Sequence, residues 1–171
     1  QTITSRNTDP AEALVISATQ FHAGDAFNVI PDEIVLRGTC RVLNPEIQAT
    51  LPERIKRVAD GIAATYGAAA ELNYMTGYPA TVNTSKEADF AAGICAEVAG
   101  GTGKVDRDLP PSMGAEDFSY MLQEKPGAYI WCGNGDTAGL HHPEYDFNDE
   151  ALTVGASYWS RLVETRLSKS A

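Results

Sequence analysis

The sequence predicts an α/β protein built from two parts, and three observations lead to this assignment. Residues 1–78 contain three segments of β type and one long helical repeat. Residues 79–85 follow neither period and begin with Pro79, which is typical of a connection between domains. After this connection, helical repeats surround a single short apolar segment. We therefore expect one domain over residues 1–78 and a second over residues 79–171.

The first two elements are predicted to be strands. Residues 13–22 are dense in apolar and β-branched side chains. Residues 33–42 alternate between two faces, one of which carries Ile34, Leu36, Cys40 and Val42. The connection over residues 23–32 is rich in turn formers and too long for a two-residue hairpin turn, so it is able to hold a functional site.

A helix is predicted to begin at Asn44-Pro45, where a capping side chain precedes proline at the first helical position. Apolar residues then recur at spacings of three and four as far as Gly67, namely Ile47, Leu51, Ile55, Val58 and Ile62. Residues 69–78 alternate again and predict a third strand. The resulting β-β-α-β order is two-thirds of a split βαββαβ unit of the ferredoxin-like kind. The absent strand and helix would precede Gln1.

The second part is predicted to open with a helix, because Thr84 and Glu87 have the spacing of a capping box. Its inward face carries Phe90, Ile94 and Val98, and Gly100-Gly101 ends it. A short helix over 116–124, a strand over 128–132 and a final helix over 148–167 follow. The final helix has an apolar stripe of Leu152, Ala156, Trp159, Leu162 and Val163. This alternation is typical of the end of a larger layered α/β domain.

The composition limits the kinds of molecule that the protein is expected to bind and the compartment in which it is expected. A net charge of −10 over 171 residues opposes binding to nucleic acid or an anionic membrane, which both need a basic surface. Three widely spaced cysteines indicate neither a disulfide scaffold nor a zinc cluster, so a reducing cytoplasm is expected. No apolar run approaches the ~20 residues of a membrane span, and no leader is evident. The start at Gln1 without methionine suggests a fragment or a processed chain.

The sequence Gly139-Leu-His-His-Pro holds two of the three histidines and is the first place to look for chemistry. Adjacent residues of an extended segment point to opposite sides, so one of His141 and His142 is expected to face a given site. The alternative is that both are loop histidines bonded to water or backbone. The preceding glycine-rich loop does not open directly into a helix, which argues against a dinucleotide fingerprint.

Three further patterns allow a functional and a structural interpretation. Glu116 and Asp117 either complement the dipole of a short helix or approach a metal. His22, at a strand end, and Asn28, in the following loop, are candidates for stabilising an oxyanion, unless they serve only the loop. Two arginines on one strand face, Arg37 and Arg41, either bind a carboxylate or are simply solvated.

Four motifs together closely resemble the two-metal amidohydrolases, a family that includes hippurate hydrolase, N-acyl-amino-acid amidohydrolases and auxin-conjugate hydrolases. The motifs are His22-Ala-Gly-Asp-Ala-Phe-Asn-Val-Ile-Pro, Arg37-Gly-Thr-Cys-Arg, Met113-Gly-Ala-Glu-Asp-Phe-Ser and Gly139-Leu-His-His-Pro-Glu-Tyr-Asp-Phe-Asn-Asp-Glu. They occur in the order of the family and span essentially the whole chain. The resemblance implies a partial ferredoxin-like lid and dimerisation domain, followed by the C-terminal part of an α/β metallohydrolase domain.

The resemblance also implies roles for individual residues. His141 matches a metal ligand, and His22 matches the lid histidine that stabilises the oxyanion in the neighbouring subunit of a homodimer. Asn28 and Asn83 match polar groups of the lid and hinge that meet the substrate, an N-acyl amino acid. Two divalent ions, zinc or manganese, are implied for the intact enzyme.

The chain departs from the family in what precedes Gln1. Family members carry a Cys-x-His pair, a Glu-Glu pair with the general base and a further metal-binding histidine upstream of the lid. Without them one histidine cannot hold two metal ions, so the chain alone is expected to bind no metal and to be inactive. The competing hypothesis is a non-catalytic ferredoxin-like module for dimerisation or ligand binding.

Overall fold

The computed structural model describes residues 1–167, which form two compact units. The first unit comprises residues 1–80 with 112–116, and the second comprises 81–111 with 117 onward. The helices and strands, in chain order, are α1 (Thr2–Arg6), β1 (Leu14–Ala23), β2 (Ile34–Val42), α2 (Pro45–Thr65), α3 (Ser85–Ala99), α4 (Phe118–Glu124) and α5 (Glu150–Arg166). A single 3-10 turn over Thr102–Lys104 follows α3.

The first unit is built on an antiparallel pair, β1 and β2, as predicted. The register joins Leu14 to Val42 and Ala23 to Ile34, with a bulge between Ala18 and Gln20. Paired residues of antiparallel strands lie on the same face. One face is therefore mainly polar and carries Ser17, Gln20, His22, Arg37, Thr39 and Arg41, together with the exposed Val15 and Val35. The other is apolar and carries the half-buried side chains of Leu14, Ile16, Cys40 and Val42.

Helix α2 confirms the predicted start and repeat. The Asn44 side chain accepts a hydrogen bond from the Glu46 backbone N–H at 2.9 Å and so caps the helix. Leu51 is fully buried at the centre of the predicted face, and Ile47, Ile55 and Val58 are partly buried. Ile62, at the end of the same stripe, is 59% exposed, so the buried face is shorter than the sequence pattern.

The predicted third strand over residues 69–78 is not formed. Its side chains still alternate in exposure, with Leu72 and Tyr74 partly covered and Asn73 exposed. Burial raises the pKa of the Tyr74 hydroxyl, and the neighbouring Cys40 thiol of β2 raises it further. A strand, however, requires a ladder of backbone hydrogen bonds with a neighbouring strand, and the one ladder within residues 1–167 joins β1 to β2. The β-β-α-β prediction is wrong in this last element, because alternation specifies two faces but supplies no partner edge.

The second unit centres on two antiparallel helices, α3 and α5. Ala91 and Ile94 of α3 are buried, and Gly100 ends the helix in the left-handed conformation, with Gly101 N–H bonded to the Ala96 carbonyl at 2.8 Å. These observations confirm the predicted inward face and stop signal. An exposed ion pair between Arg161 and Glu97, at 2.7 Å, joins the two helices.

The buried face of α5 differs from the prediction by one position. Tyr158 is only 6% exposed, whereas Leu152 and Trp159 of the predicted stripe are 60% and 63% exposed. The helix has apolar residues on two adjacent stripes, and contact with α3 covers the one that contains Ala151, Gly155, Tyr158 and Leu162. Periodicity identifies the helix, but it does not select between neighbouring stripes.

A side chain replaces a strand partner near the start of the second unit. The Asn83 amide donates to the Tyr129 carbonyl at 2.9 Å and accepts from the Tyr129 N–H at 2.8 Å. The Thr84 N–H donates to the Gly127 carbonyl at 2.9 Å, and its hydroxyl faces Gly127 N–H instead of capping α3. The predicted strand over 128–132 is not formed within residues 1–167, and Thr84 makes no capping bond to α3, so both predictions are wrong. Asn83 bonds Tyr129 and Thr84 bonds Gly127 instead.

The helices differ in length and apolar character from those that cross a membrane. None within residues 1–167 combines the necessary length with the necessary apolar character.

Gly38 provides a test of the strand pairing. A Cβ at this position would overlap the Ser17 backbone oxygen of β1, so Gly38→Ala is expected to force the strands apart. We expect a loss of about 1–3 kcal/mol in the free energy of unfolding, measured by urea titration. Gly61→Ala is the control, because Gly61 lies in α2 with open space around it and the change should stabilise by up to ~1 kcal/mol. Equal effects of the two changes would contradict this packing.

The three free cysteines should differ in reactivity. Burial raises the pKa of the Cys40 thiol, and burial together with the nearby Cys132 raises the pKa of the Cys95 thiol. A raised pKa lowers the thiolate fraction at pH 8, and thiolate is the reactive form. The exposed Cys132 is therefore expected to react first with iodoacetamide, as read by peptide mass spectrometry. Faster labelling of Cys40 would show that its surroundings differ from those described.

Candidate functional site

His141 lies in an unusual backbone conformation. Its φ of 67° is the only positive φ of a non-glycine residue within residues 1–167. The left-handed region is disfavoured for residues with a Cβ, and such residues often occur at functional sites. The turn around it is closed by hydrogen bonds from His142 N–H to the Gly139 carbonyl at 3.1 Å and from Tyr145 N–H to the His142 carbonyl at 3.0 Å. The backbone thus presents His141 at the apex of a defined turn.

The two adjacent histidines have different surroundings. Nδ1 of His142 accepts a hydrogen bond from the Glu144 backbone N–H at 3.1 Å, so this imidazole contributes to the turn itself. The His141 side chain is exposed and makes no hydrogen bond within residues 1–167. Of the pair, His141 therefore has the imidazole that is available to a ligand.

The loop that carries His141 is closed at its base by side chains. The Asn134 amide donates to the Asp146 carbonyl at 2.7 Å and accepts from the Asn148 N–H at 2.7 Å. The Thr137 hydroxyl also contacts the backbone of Asp146, at 3.3 Å to its oxygen and 3.4 Å to its nitrogen. Sequence reasoning missed these residues, although an asparagine in a glycine-rich turn was a signal for side-chain bonding to the backbone.

A polar cavity lies beside the loop base. Its lining consists of the closing residues and nearby acids, namely Asn134, Gly135, Asp136, Thr137, Asp146, Phe147, Asn148 and Asp149. Much of this polarity serves the loop, since Asn134 and Thr137 each bond the Asp146 backbone and the Asn148 side chain accepts from the Glu150 N–H at 3.0 Å. His141 is not part of the lining.

His22 and Asn28 lie in the first unit. His22 is opposite Val35 near the end of β1, on the polar face of the sheet. On the same face Arg37 donates to the Gln20 side chain at 3.5 Å. Asn28 lies in the exposed turn that follows β1. The side chains of His22 and Asn28 are exposed and lack hydrogen-bond partners within the described part of the chain, so both are accessible to a ligand.

The acidic pair Glu116-Asp117 immediately precedes α4. Asp117 occupies the N-cap position without a side-chain capping bond, and the first turn of α4 contains no acidic residue. The pair is divided between the units, with Glu116 in the first and Asp117 in the second. Proximity to the helix N-terminus is compatible with the dipole interpretation.

The donor set of this chain does not complete a two-metal centre. Among residues 1–167 no group of three or more histidine, cysteine, aspartate or glutamate side chains is positioned to hold a metal ion. A catalytic zinc requires three protein ligands, and imidazole is one of the preferred types. His141 fits as a single ligand, and further ligands would have to come from outside the described residues.

The chain is similar to known proteins over nearly its whole length. The model of peptidase family M20/M25/M40 matches residues 6–165. N-acetylcysteine deacetylase of Bacillus subtilis is 36% identical over 162 residues, and hippurate hydrolase of Campylobacter jejuni is 34% identical over 162 residues. In each case the match covers 95% of this chain and 42% of the relative.

A solved structure gives the same result. The Bacillus subtilis YXEP protein, described as a dinuclear metal binding peptidase from the M20 family, superposes with a TM-score of 0.74 at 34% identity. The superposition covers 92% of this chain and 43% of that protein. The α/β fold class is thereby confirmed. The chain spans about two-fifths of the length of the relatives that it matches, and it belongs to peptidase family M20/M25/M40.

Proposed function

We propose that this chain is the C-terminal part of a metal-dependent amidohydrolase that hydrolyses the amide bond of N-acyl amino acids. The observation that carries the proposal is the turn that presents the exposed His141 in a left-handed conformation. The family match supports the reaction class, and the deacetylase and hippurate hydrolase names of two relatives support an N-acyl substrate. The names differ in acyl group and amino acid, so the proposal extends to the class of substrate only.

In the proposed enzyme the two parts of the chain have different tasks. The first, predicted over residues 1–78, is the later part of a ferredoxin-like lid, and the second, predicted over 79–171, is the end of the catalytic α/β domain. The boundary between the compact units, after Ala80, lies close to this division, although residues 112–116 group with the first unit. The remaining metal ligands and the general base belong to sequence that precedes the lid.

His141 supplies one metal ligand in this proposal. Two divalent ions, zinc or manganese, would polarise the substrate carbonyl and provide hydroxide when bound in the longer protein. The chain by itself holds one such ligand and is proposed to bind no metal tightly and to be inactive. The contribution of this chain is to fix the direction from which the His141 imidazole approaches the metal.

His22 is proposed to stabilise the oxyanion that develops during amide hydrolysis. An exposed imidazole near the end of β1 can donate a hydrogen bond to a negative oxygen, which is worth most when water is excluded. Asn28 and Asn83 are proposed to contact the substrate. The Asn83 amide uses one N–H and one lone pair on Tyr129, which leaves its second N–H for a ligand.

A homodimer formed through the lid is part of the proposal, since His22 would then act in the neighbouring subunit. The loop after β1 exposes Phe27, Val29 and Ile30, which association would cover. These side chains also favour the second candidate, a non-catalytic ferredoxin-like dimerisation or ligand-binding module. A reducing cytoplasm is the proposed location, because the three cysteines are widely spaced in the sequence. The charge of −10 argues against nucleic acid and anionic membranes as partners.

Metal binding in the longer protein tests the assignment of His141. His141→Ala is expected to weaken zinc or manganese binding by more than about 100-fold, because even residues that only orient ligands contribute 10- to 100-fold. His142→Ala is the matched control and should have a smaller effect, since that imidazole accepts a hydrogen bond inside the turn. Equal losses in both variants, or benzoate release from hippurate by the 171-residue chain with added metal, would contradict the proposal.

The role of His22 is tested separately by steady-state kinetics of the longer protein. His22→Ala is expected to lower kcat by about 10²- to 10³-fold with a small change in KM, because an oxyanion donor acts in the transition state. Lys56→Ala is the control, since Lys56 pairs with Asp60 on the exposed surface of α2. A change confined to KM would assign His22 to substrate binding instead. An unchanged kcat and KM would support the non-catalytic alternative for the lid.

A further inference from the structure

The loop over residues 134–148 is not held by hydrophobic packing. Within it Asn134, Ala138 and Tyr145 are partly buried, and every other residue is exposed. An exposed segment with so few packed side chains would ordinarily sample many backbone conformations. His141 nevertheless adopts a φ of 67°, which a residue with a Cβ maintains only when its surroundings enforce it. Some other interaction must therefore restrict this loop.

The base of the loop supplies that interaction. A primary amide offers a donor and an acceptor side by side, as a peptide group does. The Asn134 side chain uses both, bonding the Asp146 carbonyl and the Asn148 N–H at 2.7 Å each. The Thr137 hydroxyl reaches the same Asp146 backbone from inside the loop. We call Asn134 and Thr137, with the backbone of Asp146 and Asn148, the amide clamp.

We propose that Asn134 is a positioning residue for His141. The amide clamp joins the two ends of the loop, so that the turn between them, closed by the His142 and Tyr145 N–H bonds, presents the His141 imidazole in one direction. Asn134 does this through backbone contacts and need not touch metal or substrate itself. This inference rests on the proposed function, in which His141 is a metal ligand, because a fixed direction matters most for coordination.

Backbone exchange in the 171-residue chain tests the clamp without any metal. Asn134→Leu keeps a similar volume and removes both hydrogen bonds, and Thr137→Val removes only the hydroxyl contacts. We expect amide hydrogen exchange of His142 and Tyr145 to rise about tenfold or more in Asn134→Leu and less in Thr137→Val. Asp136→Asn is the matched control, because Asp136 lines the same cavity and forms no hydrogen bond within residues 1–167. Unchanged exchange in Asn134→Leu overturns the clamp.

Cobalt binding to the longer protein tests positioning. Asn134→Leu is expected to weaken Co²⁺ binding by about 10- to 100-fold and to alter the visible spectrum of bound Co²⁺, at an unchanged unfolding midpoint. A purely structural role would shift the midpoint and leave the affinity and spectrum of the folded protein alone. If Asn134→Leu does not fold, Thr137→Val is expected to show the same spectral change to a smaller degree.

The outcomes separate this inference from the proposed function. Normal Co²⁺ affinity and spectrum in a folded Asn134→Leu protein overturn the positioning role. Co²⁺ binding by the wild-type longer protein would in that case still support His141 as a ligand. Failure of the wild-type longer protein to bind Co²⁺ overturns the proposed function, and the positioning role falls with it. Increased exchange in the chain, combined with weaker and spectrally altered Co²⁺ binding, supports both.

Discussion

Side-chain amides join the parts of the second unit that strand pairing does not. In a regular sheet, the backbone N–H and carbonyl groups of neighbouring strands are hydrogen-bond partners of one another. Asn83 provides that partner for Tyr129, and Asn134 provides it for Asp146 and Asn148. Each asparagine bonds a donor and an acceptor of a distant segment. The connection into α3 and the loop with His141 therefore depend on two side chains of the same type.

The first unit follows a different principle, in which the two faces of one hairpin are chemically distinct. The apolar face of β1 and β2 lies on the side of the half-buried Cys40 and Val42, while the polar face carries His22 and Arg37. A histidine on the polar face keeps its imidazole exposed without weakening the interior. The exposed apolar loop beyond β1 is the complementary feature, since it offers area for association next to that histidine.

His22 and His141 are thus positioned by different local structures in separate units. His22 is presented by the register of a strand, and His141 by a left-handed turn in a clamped loop. Within residues 1–167, neither of these local structures brings together the three ligands that a catalytic metal needs. The family relationship accounts for this, because the chain matches about two-fifths of its relatives. The proposed chemistry belongs to the longer protein, to which these units contribute directed side chains.

The sequence by itself determined the features that depend on neighbouring residues. The start of α2 at Asn44-Pro45, the end of α3 at Gly100 and the hairpin strands all follow from signals a few residues long. The assignment of His141 as a metal ligand follows from the family motif and stays a prediction, while His142 accepts a hydrogen bond from the Glu144 N–H within the turn. Tertiary structure decided the features that depend on distant partners. Residues 69–78 and 128–132 carry strand-like patterns but lack a ladder, the covered stripe of α5 depends on α3, and Asn134 acquires its role from Asp146. Hydrogen bonds and packing between remote segments are not encoded in local periodicity, so only the folded chain specifies them.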